Sequence, residues 1–256
     1  ESPRAGWTGQ CGSGENTVSV VVAGGSSVGG AYQFANEPEA FFTAIAHRDL
    51  CEALPANVSL RTLNFGDGDR NTFTISRTLD DHLKGADILV LYVGVNDIFT
   101  TQNTLTRKQR ETRQRARSES TNQLMSWVSS SRLAVGASLW LRPSIGTADV
   151  ADVPLADATE NHQRIIAEAR EAGTKVLLMT EYVHQSQRNR LADYSKMQDG
   201  FSGDDVRWID VRSAFSGIED SESLADRNHL SRSGNQVLGR FLADALMPWL
   251  SPHPTL

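Results

Sequence analysis

Short apolar runs separated by turn-rich segments organise the chain. Thr17 to Ala23 (TVSVVVA), Val58 to Phe65 and Asp87 to Val93 (DILVLYV) are β-branched or aliphatic stretches. Lys175 to Met179 (KVLLM) and Val206 to Val211 (VRWIDV) repeat the pattern further on. Near-continuous apolar strands are expected in a parallel sheet covered on both faces. Between them, apolar residues recur at helical spacing. Glu37 to Leu54 carries Phe41, Ile45, Leu50 and Leu54, with Pro38 near its start. Thr74 to Lys84 reads as a short helix, and Ala158 to Ala172 as a helix closed by Gly173. Asn235 to Trp249 reads as a terminal helix, ahead of Pro252 and Pro254. The stretch between the fourth and fifth strands reads as a loop.

The order β-α-β-α-β, a helical insert, then α-β-loop-β-α predicts an α/β protein of three layers. A central parallel sheet of about five strands carries helices on both faces. No linker or repeat divides the chain, so residues 1–256 are read as a single domain. Residues 1–16, rich in Gly, Ser and Pro, form an irregular N-terminal arm in this reading, and 101–150 form a mostly helical insert. Within the insert, Ser118 to Leu141 looks helical and Arg142-Pro143 ends it. Its Trp127 and Trp140 read as a packing face, with a role in lining a cleft, together with Arg142, as the lesser reading. The basic run Arg107, Lys108, Arg110, Arg113, Arg115 and Arg117 reads as a solvated helix face rather than a site for an acidic partner.

Composition narrows the function classes. Hydrophobic residues make up 39% and charged residues 22%, which is globular rather than disordered. A net charge of −6 argues against a nucleic-acid or anionic-membrane binder. No apolar run is long enough for a transmembrane helix. Cys11 and Cys51 form neither a CxxC nor a Cys/His cluster in the sequence, so no metal is expected. Two readings of the pair stand: buried thiols, or a disulfide closing a loop of about 40 residues. The disulfide would imply an oxidising, exported setting. Glu1 is not an initiator Met, and the chain reads as a mature or trimmed form.

In parallel α/β sheets, functional groups gather where loops leave the carboxyl ends of the strands. Three such ends carry unusual residues: Gly24-Gly25-Ser26-Ser27-Val28-Gly29-Gly30, Gly66-Asp67-Gly68-Asp69 and Gly94-Val95-Asn96-Asp97. A fourth feature, Asp226-Arg227-Asn228-His229, precedes the last helix. Singly each has a plain reading. The Gly-rich turn lacks the Lys of a phosphate-binding loop. Gly-Val-Asn-Asp is turn chemistry. The D-x-x-H pair fits a capping Asp and a surface His. Together they supply the parts of a serine hydrolase. An alcohol is a poor nucleophile at neutral pH and needs a base. That base needs a carboxylate to orient it and to stabilise its charged form. Donors must face the oxyanion, and losing one typically costs about 2.7–4 kcal/mol.

On these residues the chain resembles the SGNH (GDSL-like) hydrolase family of esterases and lipases. The first block, G-D-S-x-x-x-G, corresponds to Gly24 through Gly30 with Ser26 as nucleophile. The second-block glycine is Gly68, with Gly66 as the alternative. The third block, G-x-N-D, is Gly94 to Asp97, and the D-x-x-H block is Asp226 to His229. The likeness spans residues 17 to 250, and LSRSGNQVLGRFLADAL resembles the family's closing helix. It implies a flavodoxin-like layering and a Ser26–His229–Asp226 triad. It also implies an oxyanion hole of the Ser26 N–H, the Gly68 N–H and the Asn96 amide, with no metal or cofactor. Gly25 stands where the family usually has Asp, and Ser27 where it usually has Leu.

Of the other histidines, His47, His82, His162 and His253 read as packing or surface residues. His184, after the fourth strand, is a candidate for lining a substrate pocket, as is Gly66. Three functions follow. The first is an esterase or lipase-like acylhydrolase acting on a small-molecule ester. The second is a carbohydrate esterase or O-acetyltransferase acting on an exported polysaccharide. The third, of another class, is a catalytically silent glycan- or partner-binding module, and the intact Ser26/Asp226/His229 set argues against it.

Overall fold

The computed structural model describes residues 8–29, 37–68, 70–98, 106, 108–109, 111 and 151–250. Six strands form one sheet: β1 (Thr8–Cys11), β2 (Asn16–Gly24), β3 (Val58–Gly66), β4 (Ile88–Val93), β5 (Lys175–Thr180) and β6 (Val206–Ile209). Their spatial order is β1-β3-β2-β4-β5-β6. β2 to β6 run parallel, and β1 adds an antiparallel edge against β3. Without that edge strand the order is that of the flavodoxin-like doubly wound sheet. Thr8–Cys11 therefore departs from the irregular arm expected for 1–16. Its four residues show no hydrophobic alternation; backbone pairing along the β3 edge makes the strand.

The apolar strands behave as their composition demands. Every residue of β4 (ILVLYV) is buried. Along β2, Val20 and Val22 face one layer while Val21 and Ala23 face the other. The first layer is built on α2 (Phe42–Ala53), with the terminal helix, named below, packed over it. The second holds Ile75, Leu79, Leu83, Ile165, Ile166 and Ala169. Full burial of one such aliphatic side chain is worth about 1.5–3 kcal/mol, so both faces of the sheet stabilise the fold.

The remaining helices are α1 (Ser26–Gly29), α3 (Thr72–Ile75), α4 (Asp80–Leu83), α5 (Val95–Ile98), α6 (Leu155–Glu171), α7 (Gln185–Asp199), α8 (Asp220–Ser223) and α9 (Arg232–Leu250). α7 occupies the stretch expected to be a loop. Only Leu191, Tyr194 and Gln198 of its fifteen residues are buried, too narrow an apolar stripe to show as a helical period. Thr74 to Lys84 resolves into two short turns, α3 and α4, rather than one helix.

The Cys11 and Cys51 sulfurs are bonded, tying the edge strand to α2. The fold also sets His47 beside this bridge, with Nε2 3.3 Å from the Cys51 Sγ. A Cys/His cluster that the sequence does not show thus exists in space, although both sulfurs are spent on each other. Most of the 101–150 insert, including Trp127, Trp140 and Arg142, lies outside the described residues, as do Gly30 and His253. Of the basic run, Lys108 is described. Its ammonium lies 3.6 Å from Asp157 and 3.7 Å from Glu160 on α6, a half-exposed ion pair in keeping with a solvated face.

Candidate active site

The chain leaves β2 toward β3 on one side, then returns to place β4 on the other. This switch point is where open α/β sheets gather ligands. Ser26 follows β2 and Asn96 follows β4, so the two flank it.

Ser26 opens α1, a single turn whose Val28 and Gly29 N–H groups donate to the Gly25 carbonyl at 3.1 and 2.9 Å. The turn is pinned from below by Asn64 of β3. Its Nδ2 donates to the Val28 carbonyl at 2.7 Å, and its Oδ1 accepts the Gly66 N–H at 2.9 Å. Asn64 was not singled out in the sequence. In the sequence it is one of several polar residues of β3, and only its burial shows that its amide needs partners.

His229 sits on a loop closed by the Leu224–Leu230 bridge and by the Ala225 N–H donating to the His229 carbonyl at 2.9 Å. Asp226 folds back on that loop. Its Oδ1 accepts the N–H groups of Asn228 and His229, both at 2.8 Å. Its Oδ2 lies 2.7 Å from His229 Nδ1. The other ring nitrogen, Nε2, lies 2.9 Å from Ser26 Oγ. An ionised carboxylate only accepts, so Nδ1 carries the proton and Nε2 presents its lone pair to the Ser26 hydroxyl. Partial burial raises the Asp226 carboxyl, but the two backbone donors and the imidazole outweigh it and hold the group below its ordinary range. Asp226 is therefore ionised at neutral pH. This chain of contacts can withdraw a proton from Ser26 and stabilise the resulting imidazolium.

Asn96 lies across the switch point. β4 turns sharply into α5 at Gly94, whose φ of +139° is a conformation side chains rarely adopt. Asn96 Nδ2 donates to the Arg70 carbonyl at 2.8 Å and to the Gly68 carbonyl at 3.3 Å. It also explains Gly25: a Cβ there would lie 2.3 Å from Asn96 Nδ2. A side chain at position 25 would therefore require the Asn96 amide to shift.

The two candidate glycines differ. A Cβ on Gly66 would lie 2.2 Å from the Gly29 nitrogen, so Gly66 is packed behind the nucleophile turn. Gly68 is partly exposed, and a Cβ there meets nothing within 4 Å. Its N–H donates to its neighbour's carboxylate, Asp67 Oδ1, at 2.8 Å. Asp67 is 57% exposed, with Arg70 3.9 Å away as an alternative partner. An incoming oxyanion can thus replace Asp67 at the Gly68 N–H, and can replace the long Gly68 carbonyl contact at Asn96.

His184 caps the start of α7: its Nδ1 accepts the Ser186 N–H at 3.3 Å. Its own N–H donates to the Arg227 carbonyl at 3.0 Å, joining α7 to the His229 loop. It lines a groove of about 300 Å³ with Gln185, Arg188, Ile218, Glu219, Asp220 and Ser221, most of them polar or charged. His162 is wholly buried, and burial brings its imidazole down to about 4, which makes it a packing residue.

Another carboxylate reaches the site unannounced by any motif. Glu181, directly after β5, is 5% exposed, and its Oε2 accepts the Val95 N–H at 2.6 Å. Its only signal in the sequence was a charge just beyond the apolar run Val176 to Met179.

No protein-family model matches the chain, and no curated protein matches it in sequence. Solved structures do share its fold. The lipase Lip_vut3 from a goat rumen metagenome is 18% identical, with 89% of this chain and 97% of that one covered and a TM-score of 0.57. LAE5, an alpha/beta hydrolase from the metagenome of Lake Arreo in Spain, is 17% identical over 92% and 97%, with a TM-score of 0.57. Axe2, an acetylxylan esterase from Geobacillus stearothermophilus, is 15% identical over 94% and 96%, with a TM-score of 0.56. At this level of identity the likeness establishes an α/β fold shared with these enzymes.

Proposed function

We propose that the protein is a serine esterase of the SGNH type, cleaving carboxylic esters through an acyl-enzyme. The observation that carries this reading is the continuous chain from Ser26 Oγ to His229 (2.9 Å) to Asp226 (2.7 Å) at the end of a central strand. In this reading His229 takes the Ser26 proton as Oγ attacks the ester carbonyl. The oxyanion is held by the Ser26 N–H, the Gly68 N–H and the Asn96 amide; the open position of Gly68 favours it over Gly66. His229 then hands its proton to the leaving alcohol, and water repeats the sequence on the acyl-serine.

A mostly polar groove at His184, which bonds the His229 loop at the Arg227 carbonyl, suits a hydrophilic alcohol portion, as in a sugar ester. A carbohydrate esterase or O-acetyltransferase is the second reading on that ground. Among the described residues, no helix is long and apolar enough to cross a membrane. The Cys11–Cys51 disulfide fits an exported setting.

A fluorophosphonate probe tests the nucleophile. The reading expects one adduct, on the peptide that contains Ser26, and no adduct on His229→Ala. Labelling elsewhere, or none, contradicts it.

A further inference from the structure

We propose that Cys11, Cys51 and His47 form a metal site in the reduced protein, taking a zinc ion where the disulfide now stands. The site lies away from the triad and does not depend on esterase activity. Cys11 pairs with Leu60 near the start of β3, whereas Ser26 and Asn96 follow the ends of their strands.

Two elements bring the donor atoms together. His47 and Cys51 stand one turn apart on α2, the i, i+4 spacing that puts two side chains on one face of a helix. Cys11 ends β1, which the β3 edge holds beside them. The donor atoms of the three residues all lie within 4.8 Å of one another. His47 Nε2 is 3.3 Å from the Cys51 Sγ. In a tetrahedral zinc site, Zn–S bonds of about 2.3 Å and Zn–N bonds of about 2.0–2.1 Å set an S···N edge of about 3.6 Å and an S···S edge of about 3.8 Å. The His47–Cys51 edge is therefore nearly formed, and once the bridge is reduced only the two sulfurs must part.

The ring of His47 is already oriented for ligation. The residue is buried, and its Nδ1 lies 3.0 Å from Thr62 Oγ1 of β3. That contact fixes the ring and leaves Nε2 as the nitrogen turned toward sulfur. Zinc-bound histidines are held in the same way, by a hydrogen bond at the other ring nitrogen. Sulfur is a weak hydrogen-bond partner for an imidazole but a companion ligand to it in zinc sites. Two thiolates and an imidazole are a soft donor set, suited to zinc and not to magnesium or calcium. Both cysteines are half-buried, so a reductant can reach the bridge and a water can complete the four positions around the ion.

The exchange balances. A dithiol reductant supplies the two electrons that break the S–S bond, leaving two thiols on the protein and a disulfide on the reductant. Zinc then displaces the two thiol protons, forms two Zn–S bonds and takes the Nε2 lone pair, so two protons are released per ion bound. The bridge ties the edge strand to α2, and the ion makes the same tie by coordination. β1 is thus clamped by sulfur in an oxidising setting and by metal in a reducing one.

The test reduces the full chain with a phosphine in the absence of air, removes the reductant, and titrates with Co²⁺ as a coloured stand-in for zinc. The reduced wild type should bind one Co²⁺, with a thiolate-to-cobalt charge-transfer band and the strong visible bands of tetrahedral coordination. One Zn²⁺ should displace it. The oxidised protein should show neither band. Thr62→Val keeps the shape of the strand residue and should weaken binding by about 10–100-fold, and His47→Ala by at least as much. A reduced wild type without the charge-transfer band, or a His47→Ala protein that binds cobalt as tightly as the wild type, overturns the proposal. If His47→Ala does not fold, an unchanged affinity in Thr62→Val overturns it. If the reduced chain unfolds without metal, Zn²⁺ should restore its circular dichroism, and failure to do so overturns the site.

Discussion

Two carboxylates approach His229 from opposite surroundings. Asp226 is 47% exposed, sits on a surface loop, and is held ionised by two backbone N–H groups and the imidazole. Glu181 is buried at the end of a central strand and is pushed up to about 7. The number of donors each receives, set against its burial, makes the difference. Asp226 is held as a fixed charge for orienting a base, whereas burial dominates at Glu181 and lifts its carboxyl to about 7.

Removing the fixed partner should produce the larger effect. Asp226→Asn keeps the shape but offers an amide in place of the charge and frees the imidazole to adopt the wrong tautomer. kcat for p-nitrophenyl acetate should fall by about 10³–10⁴-fold with little change in KM. A loss under tenfold breaks the comparison. Next comes Asn96, which the buried side of the pair positions. Asn96→Ala should lower kcat by about 10²–10³-fold. Gly68→Ala should fold normally, since its Cβ meets open space, while Gly66→Ala should lose stability because its Cβ would overlap the Gly29 backbone. Thermal melts of the two variants check this.

The smallest effect sharpens the contrast through stability. Glu181 has an ordinary value of 4.5 and Asp97 of 3.8, and both are lifted to about 7 in the folded chain. The folded state then binds more protons than the unfolded one over that interval. Their contribution is full at the acid end and is lost as pH rises toward 7. Asp226 is depressed instead, so its contribution is present above its ordinary 3.8 and is lost as pH falls below it. The Tm advantage of wild type over Glu181→Gln should therefore shrink between pH 5 and pH 7.5. An advantage that grows over that interval contradicts the assignment.

Five parallel strands and the positions of Ser26, Asn96, Asp226 and His229 at or beyond their ends were legible because each follows from local pattern. β4 is apolar throughout since both its faces are covered, and Gly, Asn and Asp mark its exit. What escaped the sequence depends on contacts distant along the chain. β1 exists by pairing with β3 and has no periodicity of its own. α7 buries too few side chains to show one. The fit of Gly25 against Asn96 joins residues 71 positions apart in the chain, counted from 25 to 96. Glu181 is a single charge whose meaning comes from the Val95 N–H, which lies in a separate segment.

The central claim is that Ser26 is the nucleophile of an ester hydrolase. Hydrolysis of p-nitrophenyl acetate, butyrate and octanoate by wild type and by Ser26→Ala tests it most directly. The wild type should turn over these esters, fastest on the short acyl chains, and Ser26→Ala should lose about 10⁴-fold or more. A Ser26→Ala enzyme that keeps the wild-type rate contradicts it.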